Sequence, residues 1–405
     1  MSRIVIIGAG QAGGQAVASL RQLGCKAEIM LFGDEPHLPY QRPTLSKQYL
    51  SGEHDEGRIF LRGADFYKNQ DITLRTGERV VSIDPQAKQI QTELGEKIDY
   101  QSLILATGSR PRRLDVSGCD LNGIHYLRTL DDVKAIKQTV QKNKKLVIVG
   151  GGYIGLEVAS VAVTAGMDVS VIETEDRILK RVTTPEMSEF YHKLHTDKGV
   201  KIQLNSVVSG FEADDSNTLL KYVVCKDSVL SADTAIVGIG ILPNIELALD
   251  AQIHCDNGIT TDERCQTSEP DIYAIGDCAN HPNPILRRRL RLESVPNAMD
   301  QAKVAAANIM GKDKTYSAVP WFWSDQYDLK LQMVGYSGDS DMQILRGDKE
   351  QKQFAIFYLY ENRLVAVDAV NSARDFMMGR KFYGELFDPL KLADADRDVT
   401  EAHIK

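Results

Sequence analysis

Two short apolar runs in this chain each lead into a glycine-rich turn and then into a segment with helical periodicity. One run spans residues 4–7 and the other spans 146–149. A continuous β-branched run of this length is typical of a parallel strand buried on both faces. Behind the turns, apolar residues recur at helical spacing until Gly24 and Gly166, which predicts one helix in each place. The pattern therefore predicts two strand–turn–helix units.

Both turns have the spacing Gly-x-Gly-x-x-Gly. The first covers residues 8–13 and the second covers 150–155. In a strand–turn–helix setting, such glycines let the backbone turn tightly and approach a pyrophosphate, which then lies at the helix N-terminus. We therefore expect two dinucleotides to bind at once, with electrons passing between them. The candidate contacts are Gly8, Gly10, Ala12, Gly13, Gly150, Gly152, Tyr153, Ile154 and Gly155.

A carboxylate follows the second strand of each unit. Asp34 and Glu35 come after the apolar segment 27–32, and Glu173 comes after the segment 168–172. An acid here hydrogen-bonds a ribose hydroxyl, whereas a solvated acidic turn is the structural alternative. At the second site, Glu173 would accept from the 2′-hydroxyl of NADH and repel the 2′-phosphate of NADPH, so we expect NADH there. We interpret Arg177 as a surface residue of the following loop.

Two later strands end in small residues, which let a backbone pass close to a bound nucleotide. They lie at 103–108 and 235–240, each about 90 residues after a glycine turn. The repeated layout predicts two similar folds, one inserted in the other. The small residues singled out are Ala106, Thr107, Gly108 and Gly240.

A third glycine-containing strand end lies at 273–279. Asp277 in this segment is placed to accept a hydrogen bond from a ribityl hydroxyl of a flavin. The helix predicted to begin near Pro296 would point its positive end at the flavin ring, which would stabilise an anionic reduced flavin.

Length and charge narrow the class of protein. A chain of 405 residues is expected to form two or three domains. Its 56 acidic and 48 Lys and Arg residues give a net charge of −8, which argues against general nucleic-acid binding. No apolar run approaches the ~20 residues that span a bilayer, and no signal peptide precedes the first strand. We therefore expect a cytoplasmic protein with neither a nucleic-acid nor a membrane partner.

The six cysteines are scattered, without a Cys-x-x-Cys pair. This spacing predicts neither a disulfide framework nor a metal site. Flavoprotein disulfide reductases carry a close cysteine pair beside the flavin, and this chain lacks one. Electrons leaving a flavin are therefore expected to take another route. The cysteines are Cys25, Cys119, Cys225, Cys255, Cys265 and Cys278.

Together with three further segments, at 39–47, 291–298 and 320–326, these motifs resemble the oxygenase-coupled NADH:ferredoxin reductases. The resemblance runs from residue 3 to about residue 385. It implies an α/β fold with two Rossmann-like, glutathione-reductase-like domains and a C-terminal α+β domain. It also implies one tightly, non-covalently bound FAD per chain and NADH as co-substrate. The implied domains are FAD-binding at 1–110 and 243–318, NADH-binding at 111–242 and C-terminal at 319–405.

The resemblance also implies roles for single residues. Lys47 matches a lysine beside the isoalloxazine ring, and Trp323 matches a tryptophan close to the flavin and the docking surface. Glu157 matches a carboxylate near the nicotinamide and is also interpreted as a dipole partner in the first helical turn. Glu293 is a second acid expected to approach the nicotinamide. The implied FAD contacts are Ala12, Asp34, Glu35, Arg42, Lys47, Val80, Arg128, Asp277, Val295 and Trp323; the implied catalytic residues are Lys47, Glu157 and Trp323.

The implied reaction takes hydride from NADH and passes single electrons to a two-iron, acidic ferredoxin that serves a monooxygenase or a ring-hydroxylating dioxygenase. A basic patch would steer such a partner. The densest basic run contains Arg287, Arg288 and Arg289, with Lys303 as a further candidate. A solvated loop is the alternative interpretation of this run.

Three other functions are alternatives to this one. A rubredoxin reductase would differ only in its acceptor. A coenzyme-A-disulfide reductase needs a cysteine about forty residues into the chain, where this sequence has 41–44 without one, so that function is rejected. A flavoprotein resembling apoptosis-inducing factor, with a non-catalytic role, would carry long extensions and basic surfaces that this acidic chain lacks.

Overall fold

The computed structural model describes residues 2–404. The helices are α1 Gln11–Gln22, α2 Gln48–Ser51, α3 Glu56–Ile59, α4 Ala64–Asn69, α5 Leu130–Thr139, α6 Tyr153–Thr164, α7 Pro185–Asp197, α8 Glu246–Asp250, α9 Val295–Ile309, α10 Ala373–Lys381, α11 Pro389–Ala393 and α12 Val399–Ala402. Within the described residues, no helix is both long and apolar enough to cross a membrane.

The strands of the first half are β1 Arg3–Ile7, β2 Glu28–Gly33, β3 Ile72–Thr76, β4 Val80–Asp84, β5 Gln89–Thr92, β6 Lys97–Asp99, β7 Ser102–Leu105, β8 Ser109–Pro111, β9 Ile124–His125, β10 Lys145–Val149, β11 Asp168–Ile172 and β12 Lys201–Gln203. The later strands are β13 Val208–Ala213, β14 Leu220–Cys225, β15 Val229–Ser231, β16 Thr234–Val237, β17 Ile241–Pro243, β18 Ile259–Thr260, β19 Ile272–Ala274, β20 Ala279–Asn283, β21 Arg288–Leu290, β22 Trp321–Gln326, β23 Leu329–Gly335, β24 Met342–Asp348, β25 Gln353–Tyr360, β26 Arg363–Val370, β27 Leu386–Phe387 and β28 His403–Ile404.

The chain forms two compact units. Unit 1 comprises the described residues of Met1–Arg42, Glu56–Arg110 and Ile241–Pro320. Unit 2 comprises those of Pro43–Asp55, Pro111–Gly240 and Trp321–Lys405. The short segment 43–55 thus belongs to the same unit as the second glycine turn.

Unit 1 is built on a parallel sheet with the strand order β19-β7-β1-β2-β3. In its centre, Ile6 lies opposite Leu31 on one side and Ile104 on the other, and all three are fully buried. This burial explains why the strands are continuous apolar runs. Helix α1 packs on α9, whose first residue Val295 confirms the helix predicted near Pro296.

Unit 2 repeats that architecture. Its parallel sheet has the order β12-β11-β10-β16-β9, so β16-β10-β11-β12 matches β7-β1-β2-β3 of unit 1. In both sheets the central strand leads into a glycine turn and then a helix of 12 residues. A dinucleotide binds at the carboxyl end of such a central strand, so each unit offers one site.

The C-terminal part of unit 2 is an antiparallel sheet with the order β22-β23-β26-β25-β24 and the helices α10 to α12. Leu331 and Ile356 of this sheet share one core cluster with Leu156 of α6 and Tyr191 of α7. The sheet therefore packs against the helix that follows the second glycine turn. The predicted α/β fold, with Rossmann-like parts and a C-terminal sheet domain, is confirmed.

Candidate functional site

The first glycine turn leaves an open space at its middle glycine. Gly8 has φ +112°, and a Cβ there would lie 2.1 Å from the carbonyl oxygen of Ala106. A Cβ on Gly13 would lie 2.0 Å from the carbonyl oxygen of Gly8, whereas a Cβ on Gly10 would meet nothing within 4 Å. The outer glycines are thus required by the protein's own backbone. The space at Gly10 fits the close approach of a pyrophosphate.

The second glycine turn has the same geometry. Gly150 has φ +113°, and a Cβ there would lie 2.3 Å from the carbonyl oxygen of Gly238. A Cβ on Gly155 would lie 2.3 Å from the carbonyl oxygen of Gly150, and one on Gly152 would meet nothing within 4 Å. Both turns therefore leave an open space at the middle glycine, Gly10 or Gly152, that a side chain would fill. We call each of these spaces a cradle.

The helices behind these turns begin without a side-chain cap. Gly10 and Gly152 are the N-cap residues of α1 and α6, and neither first turn holds an acidic residue. The first N–H groups of a helix need partners, and the helix dipole favours an anion there. The cradles and the uncapped helix ends together fit two phosphate-containing ligands.

Glu173 lies directly beside the second turn. Its Oε2 accepts from the backbone N–H of Gly151 at 2.7 Å, and its Oε1 accepts from the N–H of Glu175 at 2.9 Å. Arg177 is committed elsewhere, because its guanidinium donates to Ser188 Oγ and to the carbonyl oxygen of Lys180. The second turn and the acid predicted to serve it are therefore brought together.

The acids predicted at the first site differ in their surroundings. Asp34 is exposed, whereas Glu35 accepts from Tyr40 Oη at 2.6 Å and from Arg42 Nη2 at 2.5 Å. Burial disfavours the charge on Arg42, but Tyr40, Glu35 and Asp277 outweigh it and raise the pKa of Arg42. The acid–arginine pair and Asp277 thus belong to one electrostatic cluster in unit 1.

Asp277 lies just beyond β19 and is held by the first residue of β8. Its Oδ2 accepts from Ser109 Oγ at 2.8 Å. The small-residue strand end is fastened by Asn244, which donates to the carbonyl oxygen of Thr107 at 2.9 Å and accepts from Thr107 Oγ1 at 2.6 Å through its own carbonyl. Asp277 and Thr107 follow β19 and β7 of the sheet that carries the first glycine turn, where ligands of such folds bind.

A buried ion pair joins the segment 43–55 to helix α6. Glu157 is 3% exposed, and its Oε2 lies 2.7 Å from Lys47 Nζ. Ser46 Oγ donates to the same oxygen at 2.5 Å, and Ser324 Oγ donates to Oε1 at 2.6 Å. Lys47 Nζ also donates to the carbonyl oxygen of Pro43 at 3.2 Å. Two of the residues predicted to be catalytic therefore contact each other.

The predicted dipole role of Glu157 is wrong. Helix α6 begins at Tyr153, and its first turn contains no acidic residue, so Glu157 lies in the second turn. The dipole effect falls off within the first turn. The charge of Glu157 is instead compensated by Lys47.

Other predicted site residues have different environments. Val80 is 3% exposed in the core of unit 1, and Glu293 is exposed and pairs with Arg291 at 2.7 Å. The backbone N–H of Arg128 donates to Asp132 ahead of α5. Trp323 is half-buried, with its ring centroid 5.7 Å from that of Trp321. Among residues 2–404, the contacts described for Val80, Glu293, Arg128 and Trp323 are with other protein residues. Their cofactor roles therefore remain predictions.

The predicted docking arginines differ in what they do. Arg289 donates to the carbonyl oxygens of Thr261 at 2.6 Å and Asn280 at 2.7 Å, so it fastens the β20–β21 hairpin. Arg287 lies exposed at the turn of that hairpin. Lys303 pairs with Asp300 at 2.9 Å on the surface of α9.

Ser46 and Ser324 were missed by the sequence analysis. Both lie within segments that carry the resemblance, next to Lys47 and Trp323. The alternation of β22 places Ser324 on the buried face, which was a usable signal. Nothing in the sequence indicated that both hydroxyls would meet Glu157.

Known proteins match both parts of the chain. The family model of pyridine nucleotide-disulphide oxidoreductases matches residues 2–302, and that of the reductase C-terminal domain matches 321–403. The chain is 42% identical to rhodocoxin reductase of Rhodococcus erythropolis over 398 residues, covering 98% of this chain and 93% of the relative. It is 38% identical to rubredoxin-NAD(+) reductase of Pseudomonas putida over 368 residues, covering 91% and 95% of the two chains. The crystal structure of the covalent putidaredoxin reductase–putidaredoxin complex aligns with a TM-score of 0.96 and 41% identity, over 99% of this chain and 98% of the reductase.

Proposed function

The chain belongs to the family of pyridine nucleotide-disulphide oxidoreductases, and from this premise we propose that it is an FAD-containing NADH:ferredoxin reductase of an oxygenase system. Family membership makes it an oxidoreductase that uses a flavin and a nicotinamide cofactor. The observation that carries the finer proposal is the pair of cradles at Gly10 and Gly152, each at an uncapped helix N-terminus. Two such cradles suit two resident or passing nucleotides.

We assign FAD, one per chain, to the cradle of unit 1. The pyrophosphate would lie at Gly10, and Asp277, fixed by Ser109, offers a carboxylate to a ribityl hydroxyl. Asp34 is exposed at the end of β2, where a ribose hydroxyl is bound in folds of this type. When bound, the flavin supplies a group that accepts two electrons together and gives them up singly.

We assign NADH to the cradle of unit 2. The Glu173 carboxylate is fixed at the turn by the N–H of Gly151. A fixed negative charge there accepts from a ribose 2′-hydroxyl and repels a 2′-phosphate. The chain therefore prefers NADH over NADPH.

Lys47 keeps one donor for the flavin. An ammonium group has three N–H donors, and two of them are engaged by Glu157 and the carbonyl oxygen of Pro43. The third is left to hydrogen-bond a cofactor. A cation fixed in this way favours the reduced, more negative flavin.

The electrons leave to a separate protein. The cysteines of the described chain are free thiols. Burial raises the pKa values of Cys265 and Cys278, which makes both thiols poor nucleophiles. A protein that carries a metal centre accepts single electrons from a flavin without a dithiol. We propose an acidic two-iron ferredoxin that approaches the basic residues Arg287, Arg288, Arg289 and Lys303.

We propose functional domains for FAD at 1–110 and 243–318, for NADH at 111–242 and for the C-terminal part at 319–405. The compact units differ from this division in grouping 43–55 and 321–405 with the NADH part. Lys47 and Trp323 therefore lie in segments that the compact units group with the NADH part.

Three measurements on the purified protein test the proposal. Released flavin should be FAD at one equivalent per chain. Stopped-flow mixing should show faster reduction by NADH than by NADPH, and a preference for NADPH would refute the role of Glu173. A panel of ferredoxins and rubredoxins then identifies the acceptor. Faster turnover with rubredoxin would favour the second candidate function, a rubredoxin reductase. The similarity to rubredoxin-NAD(+) reductase supports that candidate.

A further inference from the structure

A chain of hydrogen bonds leads away from Glu157 through the interior of unit 2. Beyond the bond from Ser324 to Glu157, Gln326 Nε2 donates to Ser324 Oγ at 3.2 Å. Gln326 Oε1 lies 2.8 Å from His195 Nε2, and Tyr327 Oη lies 3.0 Å from His195 Nδ1. Ser324, Gln326 and His195 are completely buried.

The residues of this hydrogen-bond chain come from strand β22, helix α7 and the turn that follows β22. Ser324 and Gln326 alternate along β22 and therefore share its buried face. His195 lies in the last turn of α7, and Tyr327 lies in the turn between β22 and β23. Tyr327 is partly exposed, with Lys198 Nζ 5.8 Å from its ring centroid. The chain of hydrogen bonds thus connects the surface of unit 2 with the Lys47–Glu157 pair.

The hydrogen bonds have one direction. A serine has a single proton, and Ser324 gives it to the carboxylate of Glu157. Ser324 Oγ then accepts from the amide of Gln326, whose oxygen in turn accepts from His195. His195 must therefore carry its proton on Nε2 and accept from Tyr327 at Nδ1. Every donor in the chain points toward Glu157.

The opposite direction conflicts with the surroundings of Glu157. It would require Glu157 to carry a proton and donate it to Ser324, although the other carboxylate oxygen faces the Lys47 ammonium and the Ser46 hydroxyl. It would also move the proton of His195 to Nδ1. Burial lowers the pKa of His195 to about 4 even though Gln326 opposes this, so the ring is neutral at pH 7.

This chain of hydrogen bonds does not conduct protons, because the amide of Gln326 cannot accept a proton at its oxygen and release one from its nitrogen as a relay group would. Its effect is to fix orientation and charge. A hydroxyl group that accepts a hydrogen bond becomes a stronger donor. Because Ser324 accepts from Gln326, its own hydrogen bond to Glu157 is strengthened.

We propose that Ser324, Gln326 and His195 are positioning residues for the reductive half-reaction. They hold Glu157 as an ionised acceptor in one orientation, and Glu157 in turn fixes the ammonium of Lys47. This inference rests on the proposed function, because only that function places Lys47 beside a flavin.

The first test measures the tautomer of His195 in the purified holoenzyme at pH 7. Long-range ¹⁵N–¹H spectra of the ¹⁵N-histidine-labelled protein distinguish the two neutral forms, and His195→Gln identifies the signal by removing it. The Nε2–H form is expected, and it should persist in Tyr327→Phe because Gln326 still accepts from Nε2. The Nδ1–H form would require Gln326 to donate to His195 Nε2, so that its amide no longer donates to Ser324, and this would overturn the proposal. This readout involves no turnover.

The second test separates chemistry from binding by stopped-flow reduction with NADH. Ser324→Ala and Gln326→Met should lower the limiting reduction rate about five- to tenfold, as expected for the loss of one buried hydrogen bond. The Kd of NADH should stay within about twofold, because the hydrogen bonds described for Ser324 and Gln326 go to Glu157, to each other and to His195 rather than to the second glycine turn. Lys193→Ala, on the exposed face of the same helix α7, serves as the matched control.

Unchanged limiting rates in both variants would overturn the positioning role. Should both variants fail to fold, the tautomer of His195 in the unmodified protein still decides the direction of the chain. If the unmodified protein is not reduced by NADH at all, the proposed function fails. The tautomer measurement involves no turnover, so it tests the direction of the hydrogen bonds separately.

Discussion

Lys47 Nζ lies 2.7 Å from Glu157 Oε2, and the two side chains are only 10% and 3% exposed. The pair joins a short segment near residue 47 to the helix that starts at the second glycine turn. Two charges taken out of water are stable only when each compensates the other and further hydrogen bonds satisfy them. Ser46 and Ser324 supply those bonds.

Breaking this pair on one side should be strongly destabilising. Lys47→Met leaves a buried carboxylate without its cation, at a cost of about 3–5 kcal/mol in the free energy of unfolding. The double variant Lys47→Met/Glu157→Gln should recover much of that loss. Urea unfolding of the four proteins gives the coupling energy. Additive losses would mean that the pair is not coupled.

An exposed ion pair provides the control for this cycle. Lys193 lies 2.6 Å from Asp197, and both side chains are largely exposed. Lys193→Met should leave stability nearly unchanged, because solvent screens such a pair.

The glycines of the first turn should separate folding from cofactor binding. Gly13→Ala places a Cβ 2.0 Å from the carbonyl oxygen of Gly8 and should destabilise the fold itself. Gly10→Ala meets nothing within 4 Å and should fold normally, yet fill the cradle and weaken FAD retention by about tenfold or more. Thermal unfolding of the apoprotein and FAD titration measure the two effects. Equal FAD affinity in Gly10→Ala would place the pyrophosphate elsewhere.

Glu173 should determine the choice of nicotinamide cofactor. Glu173→Gln keeps an acceptor for the N–H of Gly151 but removes the negative charge. The ratio of kcat/KM for NADPH over NADH should therefore rise about tenfold. Glu175→Gln, two residues along and paired with Lys180, is the matched control and should leave the ratio unchanged. A ratio that moves equally in both variants would argue against a specific contact.

Asp368 should make stability depend on pH. Burial raises its pKa from 3.8 to about 6, although Thr183 and Tyr358 donate hydrogen bonds to it. Because the folded-state pKa is the higher one, its stabilising contribution is complete below about pH 4 and is lost as the pH rises through 6. Two pKa units correspond to about 3 kcal/mol as an upper limit.

The variant Asp368→Asn isolates this effect. Its amide oxygen still accepts from both hydroxyls, but it does not ionise. The free energy of unfolding of the unmodified protein should fall relative to the variant between pH 4 and pH 7, as measured by urea unfolding at several pH values. Parallel curves would show that Asp368 does not titrate in this range.

The docking proposal should be tested with Arg287 rather than with the whole basic run. Arg287→Ala should slow ferredoxin reduction about two- to fivefold at low salt and have little effect at high salt, since steering is screened. Ferricyanide reduction should not change. Arg289→Ala should instead loosen the hairpin, because two carbonyl oxygens lose their donor. A fall in ferricyanide reduction with Arg287→Ala would indicate damage to the flavin site.

Much of the fold was predictable because its signals are local. Buried parallel strands require continuous apolar runs, and the turn at Gly8 requires a positive φ that few other residues adopt. An acid at the end of the second strand follows from the same local geometry, and Glu173 lies at the turn as predicted. The helix beginning at Val295 was likewise indicated by nearby residues.

The partners of buried polar groups were not predictable in this way. Glu157 was expected near the nicotinamide and also as a dipole partner of its own helix, and in place of that dipole role its charge is met by Lys47, Ser46 and Ser324 from two distant segments. The role of His195 could not be predicted from the sequence, because it depends on a hydrogen bond with Gln326, which lies in a strand more than a hundred residues later.

The sequence by itself therefore determined the two strand–turn–helix units, the cradles at Gly10 and Gly152 and the acid beside the second cradle. These depend on backbone conformation and side-chain periodicity over a few residues. Only the tertiary structure decided which buried charges are paired and in which direction their hydrogen bonds run. Those contacts arise when the packing of separate elements removes water and leaves each polar group to find a partner in the protein.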